Sequence, residues 1–214
     1  MSLREPFNGI SHLTGAGLAA GGTAVLVTFA AMHGPAKAVT ACAVYGGSMV
    51  LLYLASALYH LVPAGERRLA VLRRLDHVAI APFIAGSYTP LTLIALPPVL
   101  GWVLFGVVWG LTLGILTIEL AWFRAPRYLK TALYVAMGWL VVFFLPRLVP
   151  AIGPGGSFWL ALGGACYTIG AVIYALKRPD PWPKAVGFHG VWHCCVLAGT
   201  ITQYWAVLRY VVLG

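Results

Sequence analysis

Apolar residues run through this chain in continuous blocks separated by short polar stretches, and they do not alternate with polar ones. Seven blocks stand out: His12–Met32, Ala38–Leu61, Leu75–Leu96, Leu100–Leu120, Tyr128–Leu145, Phe158–Leu176 and Phe188–Val212. Each is near the roughly 20 residues that a bilayer-spanning helix needs. A transmembrane barrel would show an alternating period of two, so continuous blocks predict helices. Pro90, inside the third block, is expected to kink or end its helix. The first block follows Arg4 and imitates a signal peptide. Its length, the embedded His12 and the six blocks that follow predict that it is retained as a span. The pattern therefore predicts an all-α, polytopic membrane protein, a seven-transmembrane-helix bundle in a single domain over residues 1–214.

Composition agrees with this pattern. The 214 residues are 61% hydrophobic and only 9% charged, whereas a soluble domain carries about a quarter charged residues. With seven spans, eleven of the fourteen Lys and Arg residues fall on the N-terminal side of the membrane, including Arg67, Arg68, Arg73, Arg74 and Arg127. Lys37, Arg147 and Arg209 make up the other side. Positive charge marks the cytoplasmic face, so the N-terminus is expected inside and the C-terminus outside. The net charge of +9 is then mostly an orientation signal. No loop is long enough to read nucleic acid, and contact of "ERRLAVLRRL" with anionic lipid headgroups is the better use of that charge. Cys42, Cys166, Cys194 and Cys195 all lie inside spans and read as apolar filler, with no disulfide framework implied. Cys194 and Cys195 point about 100° and 200° around the helix from His193, away from any ligand role beside it.

On this map His12, His60, His77, His189 and His193 gather at one membrane level, and only His33 lies opposite. His189 and His193 are four apart and share a helix face, so they can bind one cation as a pair. They can equally hydrogen-bond to neighbouring helices. A third nitrogen from His60 would complete a tripod that leaves a fourth zinc position open for water, as catalytic sites do; alone, His60 also reads as an interfacial histidine. Asp76 is placed to take a proton from that water, or else to cap a helix or pair with Arg73 or Arg74. Ser56, one turn before His60, can reach the same water or bond back within its own helix. His77 reads as structural. His12 either supports the site or hydrogen-bonds Asn8. Glu119 is expected to pair with Arg124 or Arg127, and Gly106, Gly110 and Gly114 give a small face for helix packing.

The segments "EPFNGISHLTGAG", "YGGSMVLLYLASALYHLVP", "LDHVAIAPFIAGSYTP", "YVAMGWL" and "HGVWH", in this order, closely resemble the bacterial hemolysin III family of the progestin and adiponectin receptor superfamily. The resemblance covers nearly the whole chain. It implies a seven-helix fold with an inner N-terminus, a multi-pass protein of the bacterial inner membrane. It also implies a zinc ion held by His60, His189 and His193, with Asp76 and Ser56 beside its water. Relatives often carry a further histidine where this chain has Gln203, a position that is not a ligand in the family.

Two classes of function follow. One is a zinc-dependent hydrolase of lipid amide bonds, ceramidase-like, with zinc or Ser56 steadying the oxyanion. The other is non-enzymatic: a sensor or regulator of membrane lipid state with structural zinc, or a pore-forming haemolysin. An open tripod favours the first, because structural zinc is more often closed by four protein ligands. Membrane lipids are the expected partners, and oligomeric state is not readable from one chain.

Overall fold

The computed structural model describes residues 3–122 and 125–214, and no strand occurs among them. Helix α1 spans Pro6–His33, with proline in its first turn, where the missing N–H would have no partner anyway. Helix α2 spans Ala36–Leu61 and stops where Pro63 forbids a helical predecessor. Helices α3 (Glu66–Val78) and α4 (Ile80–Pro90) are followed by a wide π-turn at Leu91–Ala95. Ala79 keeps right-handed helical angles between them (φ −73°, ψ −17°), so Glu66–Ala95 is one run of 30 residues. This run begins at Glu66, ahead of the apolar block at Leu75. "ERRLAVLRRL" is itself helical and carries the span out to its polar end. Asp76 consequently lies well inside a helix and is not at a capping position.

Helix α5 spans Pro98–Ala121, α6 Arg127–Trp139 and α7 Leu145–Leu176, with a 3₁₀ turn at Leu140–Phe144 between the last two. Helix α8 spans Gly187–Val207 and ends in a second π-turn at Leu208–Val212. Six helical runs among the described residues are long and apolar enough to cross a membrane. The fifth, Arg127–Leu176, holds 50 residues. Drawn straight it would be about 75 Å long, against a hydrocarbon core of about 30 Å. It is not straight. Gly153 has φ 66° and ψ 179°, a region open to glycine and closed to most side chains. Arg127 Nη2 donates to the Ala175 carbonyl (3.1 Å), and Trp139 Nε1 donates to Thr168 Oγ1 (3.1 Å). The start and the end of the run therefore lie side by side, and the chain doubles back near Gly153.

The core lies where α2 is enclosed by α1, α4 and α8, around Tyr45, Tyr53, Leu26 and Met49. Gly46 lets α1 approach α2 closely, because a Cβ there would collide with Thr23. Polar cross-links hold the layers in register: Tyr53 Oη donates to Thr200 Oγ1 (2.8 Å), and Tyr204 Oη donates to the Gly22 carbonyl (3.0 Å). Tyr88 serves the 3₁₀ turn, donating to the Gly138 carbonyl (2.6 Å) and accepting from the Val141 N–H (2.9 Å). Backbone groups freed inside a bilayer need such partners. The glycine face of α5 departs from expectation. A Cβ at Gly106, Gly110 or Gly114 would meet nothing within 4 Å. This face packs against no other helix of the chain, because α5 sits at the rim of the bundle.

Candidate metal centre

His60 lies one residue from the C-terminus of α2, and His189 and His193 occupy the first two turns of α8. The start of α8 is anchored by Asp180, whose Oδ1 accepts from the Phe188 N–H at 2.6 Å; helix N-termini need such acceptors. His60 Nε2 stands 3.3 Å from His189 Nε2, and His193 Nε2 stands 3.2 Å from the same atom. The three imidazoles thus offer one ligand atom each, all within 4.8 Å of one another. His60 and His193 are buried.

The outer nitrogens of two rings decide what the inner ones can do. His60 Nδ1 lies 2.6 Å from Glu5 Oε2, and His193 Nδ1 lies 3.2 Å from the Asn8 carbonyl oxygen. Glu5 precedes the first span. The hydrogen bond with His60 holds its carboxyl well below the usual carboxylate range, to about 2, against the opposing effect of burial. It is therefore ionised and only accepts, as does the Asn8 carbonyl. Both rings, when neutral, carry their proton on Nδ1 and direct an Nε2 lone pair inward. His189 Nε2 has at most one proton to offer, and two acceptors face it. A cation resolves that shortage. Tetrahedral zinc with bonds of about 2.0–2.1 Å places its nitrogen ligands about 3.3–3.4 Å apart, close to the two spacings found here. The residues fit the metal.

Asp76, buried on α3, lies beside this cluster with Ser56, His60 and Arg73 acting on its carboxylate, Ser56 through a side-chain hydrogen bond. His77 does not face away as expected. Its Nδ1 bonds the Arg73 carbonyl (2.8 Å) and lies 3.6 Å from Asp76 Oδ2. His12 is buried, stacked on His193 with ring centroids 3.6 Å apart and planes 8° from parallel, and it meets Tyr53 edge-on at 5.0 Å. It forms no hydrogen bond with Asn8; neither ring nitrogen has a partner in hydrogen-bonding geometry. His33 lies at the far end of α1, bonded to its own helix at the Phe29 carbonyl.

The cluster opens through His12, Asp76 and His189 onto a cavity of about 960 Å³. Its wall is mostly apolar and drawn largely from α4, α6, α7 and α8, with Arg73, Arg127 and Lys177 at the Asp76 end and Gln203 farther in. Glu119 and Lys130 form a buried ion pair beside it, Lys130 Nζ to Glu119 Oε2 at 2.6 Å, and Tyr134 Oη donates to Glu119 Oε1 at 2.7 Å. Arg124, one of the two partners expected for Glu119, lies outside the described residues. Arg127, the other, is directed elsewhere, over the Tyr174 ring at 5.1 Å and to the Ala175 carbonyl.

Sequence reasoning assigned no role to Glu5, Lys130 or Tyr134. For Glu5 a signal was present: its motif "EPFN" stands one turn ahead of His12, at the membrane level to which the histidines had already been assigned.

The profile of the family described as Haemolysin-III related matches residues 2–204. The chain is 37% identical over 210 residues to Hemolysin-3 of Bacillus cereus, covering 97% of this chain and 92% of that protein. It is 34% identical over 208 residues to the Hemolysin-3 homolog of Bacillus subtilis (strain 168), covering 97% and 94%. It is also 30% identical over 193 residues to the heptahelical transmembrane protein ADIPOR3 of Oryza sativa subsp. japonica, covering 77% of this chain and 45% of that protein. The chain thus spans about half the length of this plant relative.

Proposed function

The chain belongs to the Haemolysin-III related family, and from that membership we propose that it is a zinc-dependent hydrolase of amide-linked membrane lipids, with its metal centre near the cytoplasmic face. One observation carries the reading. Three Nε2 atoms converge with too few protons among them, beside a buried carboxylate, at the end of an apolar cavity. Under this reading the doubled run Arg127–Leu176 makes two crossings, which brings the total to seven. The positive-inside distribution then puts Arg4, Arg73, Arg127 and Lys184 in the cytoplasm of a bacterium, at its inner membrane.

Zinc held by His60, His189 and His193 would supply Lewis acidity, lowering the pKa of water toward about 7 and polarising the acyl carbonyl. The chain's own residues do the rest. Asp76 accepts the proton of the water whose oxygen attacks the carbonyl carbon. It then returns that proton to the nitrogen as the C–N bond breaks, leaving a fatty acid and an amine. Ser56, bonded to Asp76, fixes the carboxylate so that a free lone pair faces the reacting carbonyl. The apolar wall of the cavity takes the acyl chain, and Arg73 and Arg127 at its mouth suit an anionic carboxylate product.

The test is bound zinc per chain, measured by elemental analysis of detergent-purified protein. About one zinc is expected in the wild type, lost in His60→Ala, His189→Ala and His193→Ala. A folded wild type prepared without chelators and lacking zinc overturns the proposal. A second reading rests on the name Hemolysin-3 carried by the Bacillus cereus relative: the chain, as an oligomer, permeabilises membranes. It predicts dye leakage from vesicles that His60→Ala leaves unchanged.

A further inference from the structure

Two of the three imidazoles take their orientation from a stretch of chain that supplies no ligand. We propose that Arg4–Asn8 is the supporting layer of the metal centre and that Glu5 is a positioning residue for His60; this rests on the zinc reading above. Glu5 grips His60 twice. Its Oε2 accepts from His60 Nδ1 at 2.6 Å, and its backbone N–H donates to the His60 carbonyl at 3.0 Å. Glu5 is itself held from two sides, by Asn8 Nδ2 on Oε2 (3.1 Å) and by Arg4 Nη2 on Oε1 (3.4 Å). Arg4 in turn donates to the Tyr59 carbonyl and lies over the Tyr59 ring at 4.3 Å, beside the ligand it supports indirectly. Three residues on, the Asn8 carbonyl accepts from His193 Nδ1. One short segment therefore orients ligands from two different helices, α2 and α8.

The chemistry explains why the residue at position 5 is a carboxylate. Histidines that bind metals usually donate their other ring N–H to a carboxylate or carbonyl, which fixes the tautomer and raises ligand basicity. Glu5 does this for the ligand furthest in sequence from the other two. A plain ion pair at a site 40% exposed would contribute little, and it would act equally on the metal-free protein. The two roles therefore predict different measurements.

Zinc dissociation constants are measured by chelator competition on the purified full chain, for wild type, Glu5→Ala, Glu5→Gln and Glu66→Ala. The last removes an exposed carboxylate at the start of α3 and serves as the control. Loss of such a partner typically weakens metal affinity about 10–100-fold. Glu5→Ala is expected in that range, Glu5→Gln between it and wild type because the amide still accepts without charge, and Glu66→Ala at the wild-type value. Melting of the zinc-free proteins should not distinguish Glu5→Gln from wild type. Affinities for both Glu5 variants within about twofold of wild type overturn the inference. So does an affinity loss matched by an equal loss of stability in the zinc-free protein. Zinc lost in His60→Ala but unchanged in Glu5→Ala defeats this inference alone, whereas a wild type without zinc defeats the metal reading and this inference with it.

Discussion

Asp76 and His60 are both buried polar residues on neighbouring helices, yet their partners give them separable roles. His60 has one nitrogen toward Glu5 and the other toward His189, so both of its hydrogen-bonding positions are used in holding the centre together. Asp76 is not among the three grouped ligand donors and keeps carboxylate capacity beside Ser56. Asp76→Asn should therefore retain about one zinc per chain while lowering hydrolysis of an N-acylated lipid by about 10²–10⁴-fold, the usual contribution of a positioned acid–base group. Loss of zinc together with activity would instead make Asp76 a ligand. The ligands themselves were legible in the sequence, because His189 and His193 stand four apart and charge counting put His60 at their depth. The contacts of His12 were not. Stacking on His193 depends on how α1 rotates against α8, and the residue's own neighbours say nothing about that rotation.

At the scale of the element, the helices follow from apolar length and their joints do not. The blocks at Tyr128–Leu145 and Phe158–Leu176 fuse into one run because residues between them also hold helical hydrogen bonds, and the reversal rests on the single left-handed glycine at 153. The exposed glycines of α5 show a related limit: small residues at a spacing of four permit close packing without saying which partner, if any, is there. The partner of Glu119 was read too narrowly. Arginines near the helix ends drew attention, while Lys130, one turn into α6, provides the charge. Breaking a buried pair leaves an uncompensated charge and costs about 3–5 kcal/mol. Lys130→Met is accordingly expected to lower the thermal midpoint sharply in detergent. Glu119→Gln/Lys130→Met, which removes both charges and keeps an acceptor for Tyr134, should recover most of the loss. A double variant no better than the single would assign Lys130 a role apart from this pair.

For the molecule as a whole, the orientation and the seven crossings stand or fall together. A run that doubles back near Gly153 puts Ala151 on the face opposite to Lys184, which lies in the connection between α7 and α8. If the run made one crossing only, the helices after it would be inverted, α8 would start outside, and His189 would part company with the cytoplasmic charges of Arg67–Arg74. The packing argues for the first arrangement, since His60 and His189 meet at one end of the bundle. Membrane-impermeant maleimide labelling of intact cells tests this in a cysteine-free background. Ala151→Cys should label from outside, and Lys184→Cys only after permeabilisation. Labelling of both from the same side would mean that the run crosses once. The reverse pattern would keep the fold but turn the metal centre outward, toward lipids of the other leaflet.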